Sequence, residues 1–247
     1  MSFLEHLDEL RTRLTVSAFA LLGGFLVAFG FSAYIFGFIM RPLQEALPPG
    51  GLLVYTEPAE AFLLYLKIAA LVGAVLAAPV VIWQLWLFIA PGLYVNEKRY
   101  AIPFVLMSTV FFVGGAAFSH YVVFPFAWRF FAGFSSDYVE FMPRIAPAFS
   151  LYAKMMLAMG AVFQMPTLVF FLARMGVVSA RFLVRQIKYA ILVIFILAAI
   201  LTPGPDVVSQ LLMAGPMILL YGVSILVAWA FGRRRPDDRE GSETGED

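Results

Sequence analysis

The chain has 247 residues, 62% hydrophobic and 13% charged, with a mean hydropathy of +0.88. Soluble domains are nearer half apolar and a quarter charged, so this is the composition of a membrane protein. The net charge of +1 provides no field for nucleic acid, and the lack of cysteine excludes disulfides, thiol catalysis and cysteine-based metal centres.

The N-terminal stretch, SFLEHLDELRTRL (Ser2–Leu14), is dense in charge and leads straight into an apolar run. On a helix, Phe3, Leu7, Leu10 and Leu14 form one stripe, with Glu5, Asp8 and Glu9 on the other side. Ser2 and Glu5 fit a capping box, and Glu9 with Arg13 is an i,i+4 pair in the favoured order. The stretch therefore reads as an amphipathic helix in the membrane interface, although that role leaves three clustered acids unexplained. Its mixed charge, and the length of the apolar run after it, do not fit a cleavable signal.

Apolar runs of about 20 residues mark six transmembrane helices. They fall at about 15–40, 61–89, 101–123, 148–173, 189–201 and 208–231, so residues 1–232 form one six-span, all-α membrane domain. The fifth run is short. Its helix either extends back through Arg181–Lys188 with basic side chains snorkelling, or sits where the bilayer thins. The tail 233–247, RRRPDDREGSETGED, has the composition of a disordered segment.

Six spans put both termini on one side, and that side holds twelve of the seventeen Lys and Arg residues. The positive-inside rule makes it cytoplasmic. Of the external loops, Arg41–Glu60 is rich in Pro and Gly. Pro125–Pro147 is too aromatic for a free linker and is expected to form short helices at the interface.

Several polar positions need a reason. In the cytoplasmic turn PGLYVNEKR, Pro91-Gly92 ends a span, Asn96 can cap the next, and Glu97 falls in its first turn, where the helix dipole favours a carboxylate. Gln164, in GAVFQMP, lies mid-membrane, where an amide is costly unless paired. Pro166 beside it frees the carbonyl of Val162, and a packing hydrogen bond would account for the amide as well as a functional role would. Asp206, in LTPGPDVVSQ, can cap the last helix after a tight reversal. Only His6 and His120 could supply imidazole, they are far apart, and no HExxH, GxSxG or P-loop pattern occurs. No catalytic residue, metal or cofactor is expected.

Taken together, HLDELRTRL, RPL, APVVIWQLWLFIAPGLYVNEKR, YVVFPFAW, FQMP and LTPGPDVVSQ occur in an order and at spacings that resemble the TatC family, the multispanning receptors of the twin-arginine protein-export system. The resemblance runs from Phe3 to about Phe231. It implies a receptor for the signal peptides of folded cargo, working with single-span TatA- and TatB-type partners, self-associating within the receptor complex, and driven by the proton-motive force in a bacterial or archaeal cytoplasmic membrane. It further implies that Glu9 and Glu97 read the paired arginines, with Phe88 beside them and Arg11 supporting the site. Pro42, Gln164 and Asp206 match positions sensitive for partners or translocation. Gln164 stands where many members carry glutamate, so hydrogen bonding rather than charge is expected there. The competing reading is an ion-coupled transporter or channel that uses Gln164, Lys67 and Lys154 as a pathway.

Overall fold

The computed structural model describes residues 3–48, 51–89, 101–136, 138, 140–202 and 207–232, and among them the chain is almost entirely helical. Five helices are long and apolar enough to cross a membrane, and a shorter apolar one makes the sixth span. Two compact units are formed, residues 1–160 and 161–247.

In the first unit, α1 (Phe3–Gly30) carries the charged N-terminal stretch and the first span as one continuous helix. No Gly or Pro interrupts Leu14–Thr15–Val16, so the change from charged to apolar alters the surroundings of the helix and not its course. Thr12, Thr15 and Ser17 lie at this transition. Their hydroxyls donate to the carbonyls of Asp8, Arg11 and Arg13 at 3.0, 2.8 and 2.9 Å, which satisfies them as the helix enters the bilayer. The chain breaks at Phe31 and continues as α2 (Ser32–Gln44), so the expected first span of 15–40 is two helices. The Ser2–Glu5 capping box depends on Ser2, which lies outside the described residues.

The second span is α3 (Glu60–Ile89). It packs along α1, and the two cross at Gly24 and Gly73. A Cβ on either glycine would run into backbone atoms of the opposite helix. Small residues at such a crossing allow membrane helices the close approach on which their van der Waals attraction depends.

The third span is longer than the expected 101–123. It runs through α4 (Ala101–Phe118), a π-helical stretch (Ser119–Val123) and α5 (Phe124–Ala132). Short interfacial helices are expected from Pro125 onward; FPFAWRFFA is indeed helical, but it continues the third span, with Pro125 tolerated in the first turn of α5. The π-turn holds His120 inside the unit. Its ring stacks on Phe38 at 4.2 Å, and its Nδ1 hydrogen-bonds with the Tyr152 hydroxyl at 3.2 Å.

The segments 51–59 and 140–144 are tied together. Val54 N donates to Pro143 O at 3.2 Å, and Ile145 N to Val54 O at 2.9 Å. The buried Glu60 carboxylate accepts from the backbone N–H of Thr56 (3.0 Å), Glu57 (3.4 Å) and Ala146 (3.1 Å), with Arg144 3.6 Å away. One side chain thus fixes the start of α3 and of α6 (Ile145–Val162).

In the second unit, α10 (Val207–Phe231) packs against α7 (Met165–Arg174), α8 (Ala180–Arg185) and α9 (Ile187–Leu201). Tyr221 Oη donates to Leu183 O at 2.8 Å, and Gln210 Nε2 to Phe195 O at 3.0 Å. At about 1.5 Å per residue, the 15-residue α9 spans only about 22 Å. It is preceded by the separate helix α8 rather than by an extension of itself.

Candidate functional site

Glu9 lies on the second turn of α1, with its side chain 15% exposed. Its Oε1 accepts from Arg13 Nη2 at 3.2 Å, the i,i+4 pair read from sequence. The other oxygen, Oε2, is buried and has no hydrogen-bond partner among the described residues. A carboxylate with one oxygen paired and the other buried without a donor keeps its capacity for a further hydrogen bond, and a guanidinium that uncovers that oxygen is the donor best matched to it.

Helix register explains why this corner forms. Arg13 and Gly24 are eleven residues apart on α1, as are Gly73 and Gln84 on α3. Eleven residues are about three turns, so each pair shares a face. In an antiparallel pair pinned at Gly24 and Gly73, Arg13 therefore arrives opposite Gln84. Arg13 Nη1 does donate to Gln84 Oε1, at 3.5 Å, across 71 residues of sequence. Two turns beyond Arg13 on α1 and one turn beyond Gln84 on α3, His6 stacks on Phe88 with centroids 4.6 Å apart and planes 24° apart. On the far side of the α3 terminus, Trp86 is buried against Phe104 of α4, at 4.7 Å. The result is a corner of two charged groups, one amide and two stacked rings, where α1 and α3 enter the bilayer.

Of the expected residues, the structure places Glu9 and Phe88 on the two helices of this corner, which the Arg13–Gln84 and His6–Phe88 contacts join. Arg11 is exposed on α1 and makes no ion pair among the described residues. Glu97 and Asp206 lie outside the described residues, as do the turns 90–100 and 203–206 and the tail 233–247. Pro42 is half-buried near the C-terminal end of α2, beyond the far end of α1 from Glu9. Gln164 belongs to the second unit. It sits half-buried in a break between α6 and α7, and Pro166 opens α7 instead of kinking a continuous helix.

Gln84 is not singled out from sequence, and His6 is named there only as an isolated imidazole. Gln84 is a polar side chain in the apolar second half of its span, the same signal that drew attention to Gln164, and it is only 9% exposed. Lys67 and Lys154, the cations of the transporter reading, are both exposed on their helices. That placement fits snorkelling and lines no internal path.

Beside the α6–α7 break, the second unit has an apolar groove of about 260 Å³, lined by Val162, Met165, Tyr189, Val193, Leu197 and Met217 among others. Thr167, fully buried one turn after Gln164, has a hydroxyl with no hydrogen-bond partner among the described residues.

The family model for the Sec-independent protein translocase protein (TatC) matches residues 5–216. A protein of that name from Desulforapulum autotrophicum is 44% identical over 96% of this chain and 88% of its own length. One from Koribacter versatilis is 44% identical over all of this chain and 92% of its own. Among solved structures, a crystal structure of the twin-arginine translocase receptor TatC is 36% identical and covers 90% of this chain and 97% of its own, with a TM-score of 0.80.

Proposed function

The chain belongs to the TatC family of Sec-independent protein translocases, and from that premise we propose that it is the membrane receptor of a twin-arginine export system. It recognises the paired arginines of a signal peptide at the α1–α3 corner. The observation that carries this reading is the Glu9 carboxylate: partly desolvated, one oxygen held by Arg13, the other without a partner among the described residues, with Phe88 close by. Glu97 is the second acceptor, one carboxylate for each arginine.

Arginine is preferred to lysine because its planar fork matches a carboxylate, whereas an ammonium offers only a point charge. At a fully solvated surface such a pair contributes ~0–1 kcal/mol, while micromolar binding needs about −8 kcal/mol. Two carboxylates alone fall short. The remaining free energy comes from partial desolvation at the corner and from burial of the signal's apolar segment elsewhere on the protein.

Both termini are cytoplasmic in a bacterial inner membrane, an orientation supported by the excess of Lys and Arg on that side. Single-span TatA- and TatB-type proteins are the partners, and copies of the receptor associate in the complex. The apolar groove lined by Val162, Met165 and Tyr189 suits a partner helix, with Gln164 as the partner-sensitive polar position in the adjoining helix break. Transport of folded cargo uses the proton-motive force.

The test is photocrosslinking to a twin-arginine signal peptide. Glu9→Ala and Glu97→Ala lose the crosslink at unchanged protein level. Normal crosslinking in both variants would overturn the site.

A further inference from the structure

We propose that Gln84 is a positioning residue that holds Arg13 away from full pairing with Glu9 and so keeps one carboxylate oxygen free for the incoming signal arginine. The inference rests on Glu9 being that acceptor.

Left to themselves, an arginine and a carboxylate at this spacing can form two parallel N–H···O bonds, the strongest arrangement open to them. Here the guanidinium is divided. Nη2 goes to Glu9 Oε1 at 3.2 Å, while Nη1 goes to Gln84 Oε1 at 3.5 Å on the other helix. Glu9 Oε2, the atom Nη1 would otherwise reach, is buried and has no partner among the described residues. Gln84 is itself nearly buried on α3, so its carbonyl is a fixed acceptor and not a mobile surface amide. Removing that carbonyl frees Nη1 to turn onto Glu9 Oε2 and close the fork. Glu9 would then remain charged and correctly placed, yet already saturated by its own helix neighbour.

A glutamine is suited to this work. Its carbonyl competes for one N–H without adding charge, so Arg13 still donates to Glu9 and the site keeps its negative character. The division also explains why the salt bridge on α1 does not abolish recognition. An arginine one turn from Glu9 is the obvious competitor for that carboxylate, and the helix across from it supplies the restraint.

The test is a set of variants in the full-length protein, reconstituted and titrated with a synthetic twin-arginine signal peptide carrying a photoreactive group. Gln84→Leu keeps side-chain bulk and removes the acceptor; it weakens peptide binding about tenfold, the scale of one charge-assisted hydrogen bond. Arg13→Lys cannot form a two-pronged fork. In that background Gln84→Leu therefore has little further effect, and the two substitutions are strongly non-additive. Wild-type affinity in Gln84→Leu overturns the proposal, as does an equal loss in both backgrounds, which is the mark of a merely structural role. Glu9→Ala measured in parallel separates the premises. If it binds normally, the acceptor assignment itself has failed; if it loses binding while Gln84→Leu does not, only the role of Gln84 has failed.

Discussion

The close crossing of α1 and α3 makes Gly73→Ala a sharp perturbation. A Cβ at that position would lie 2.5 Å from the Phe25 nitrogen, 2.7 Å from the Phe25 Cα and 2.8 Å from the Gly24 carbonyl carbon. Comfortable carbon contacts begin near 3.5 Å, so the helices must part by about 1 Å, and backbone has no rotamer with which to yield. Overpacking of this kind costs about 1–3 kcal/mol, partly offset by the ~0.5–1 kcal/mol that alanine gains over glycine inside a helix. The net loss is then about 0.5–2 kcal/mol. Function should suffer more than stability, because the Arg13–Gln84 hydrogen bond, three turns away on the same faces, is already 3.5 Å long and does not survive a further 1 Å.

The assay is thermal unfolding in detergent together with signal-peptide binding. Gly23→Ala serves as the control, since nothing lies within 4 Å of a Cβ added there. Gly73→Ala and Gly24→Ala each lower the melting temperature and weaken peptide binding, and together they cost less than their sum, because both fill one gap. Gly23→Ala does neither. Wild-type behaviour of Gly73→Ala, or equal damage from Gly23→Ala and Gly24→Ala, would refute the reasoning.

Other expectations follow from the same geometry. His6→Ala and Phe88→Ala each weaken peptide binding, and a double-mutant cycle between them returns a coupling of about 0.5–1.5 kcal/mol, the value of a stacked ring pair; zero coupling means the stack is incidental. Glu60→Gln leaves one acceptor oxygen where the carboxylate served three backbone donors, so amide hydrogen exchange rises at Thr56 and Ala146; unchanged protection there contradicts the clamp. Gln164→Ala slows export and reduces copurification of single-span partners without touching signal-peptide crosslinking. Full export with normal copurification would assign the amide to packing alone.

Much of the fold could be read from hydropathy. The observed α3 begins one residue before the expected span, because there an apolar run changes abruptly to polar residues. Hydropathy misled where it was taken for geometry. The charge boundary at Leu14 is not a helix boundary, since nothing there breaks the backbone. The break at Phe31 carries no Pro or Gly at the residue itself, and Gly30 before it was one glycine among several in the run. Pro166 is expected to free the carbonyl of Val162 inside one continuous span of about 148–173, whereas α6 already ends at Val162 and the proline lies in the first turn of a new helix.

The candidate site was legible in part. Glu9 and Arg13 are four residues apart, so helix periodicity alone pairs them. Gln84 and Phe88 stand within one quoted motif, WQLWLFIAPGLY, yet the contact from Arg13 to Gln84 depends on the register of two antiparallel helices. That register is set by Gly24 and Gly73, whose significance appears only when the helices are seen to cross there.

The central claim is that Glu9 reads an arginine by its fork and not merely by its charge. The most direct measurement is the ratio of affinities for a twin-arginine signal peptide and its twin-lysine counterpart, in wild type and in Glu9→Gln. Wild type should prefer arginine about tenfold, equivalent to about 1.4 kcal/mol, and Glu9→Gln should bring that ratio close to one, chiefly by weakening the arginine peptide. An arginine preference that persists undiminished in Glu9→Gln would contradict the account.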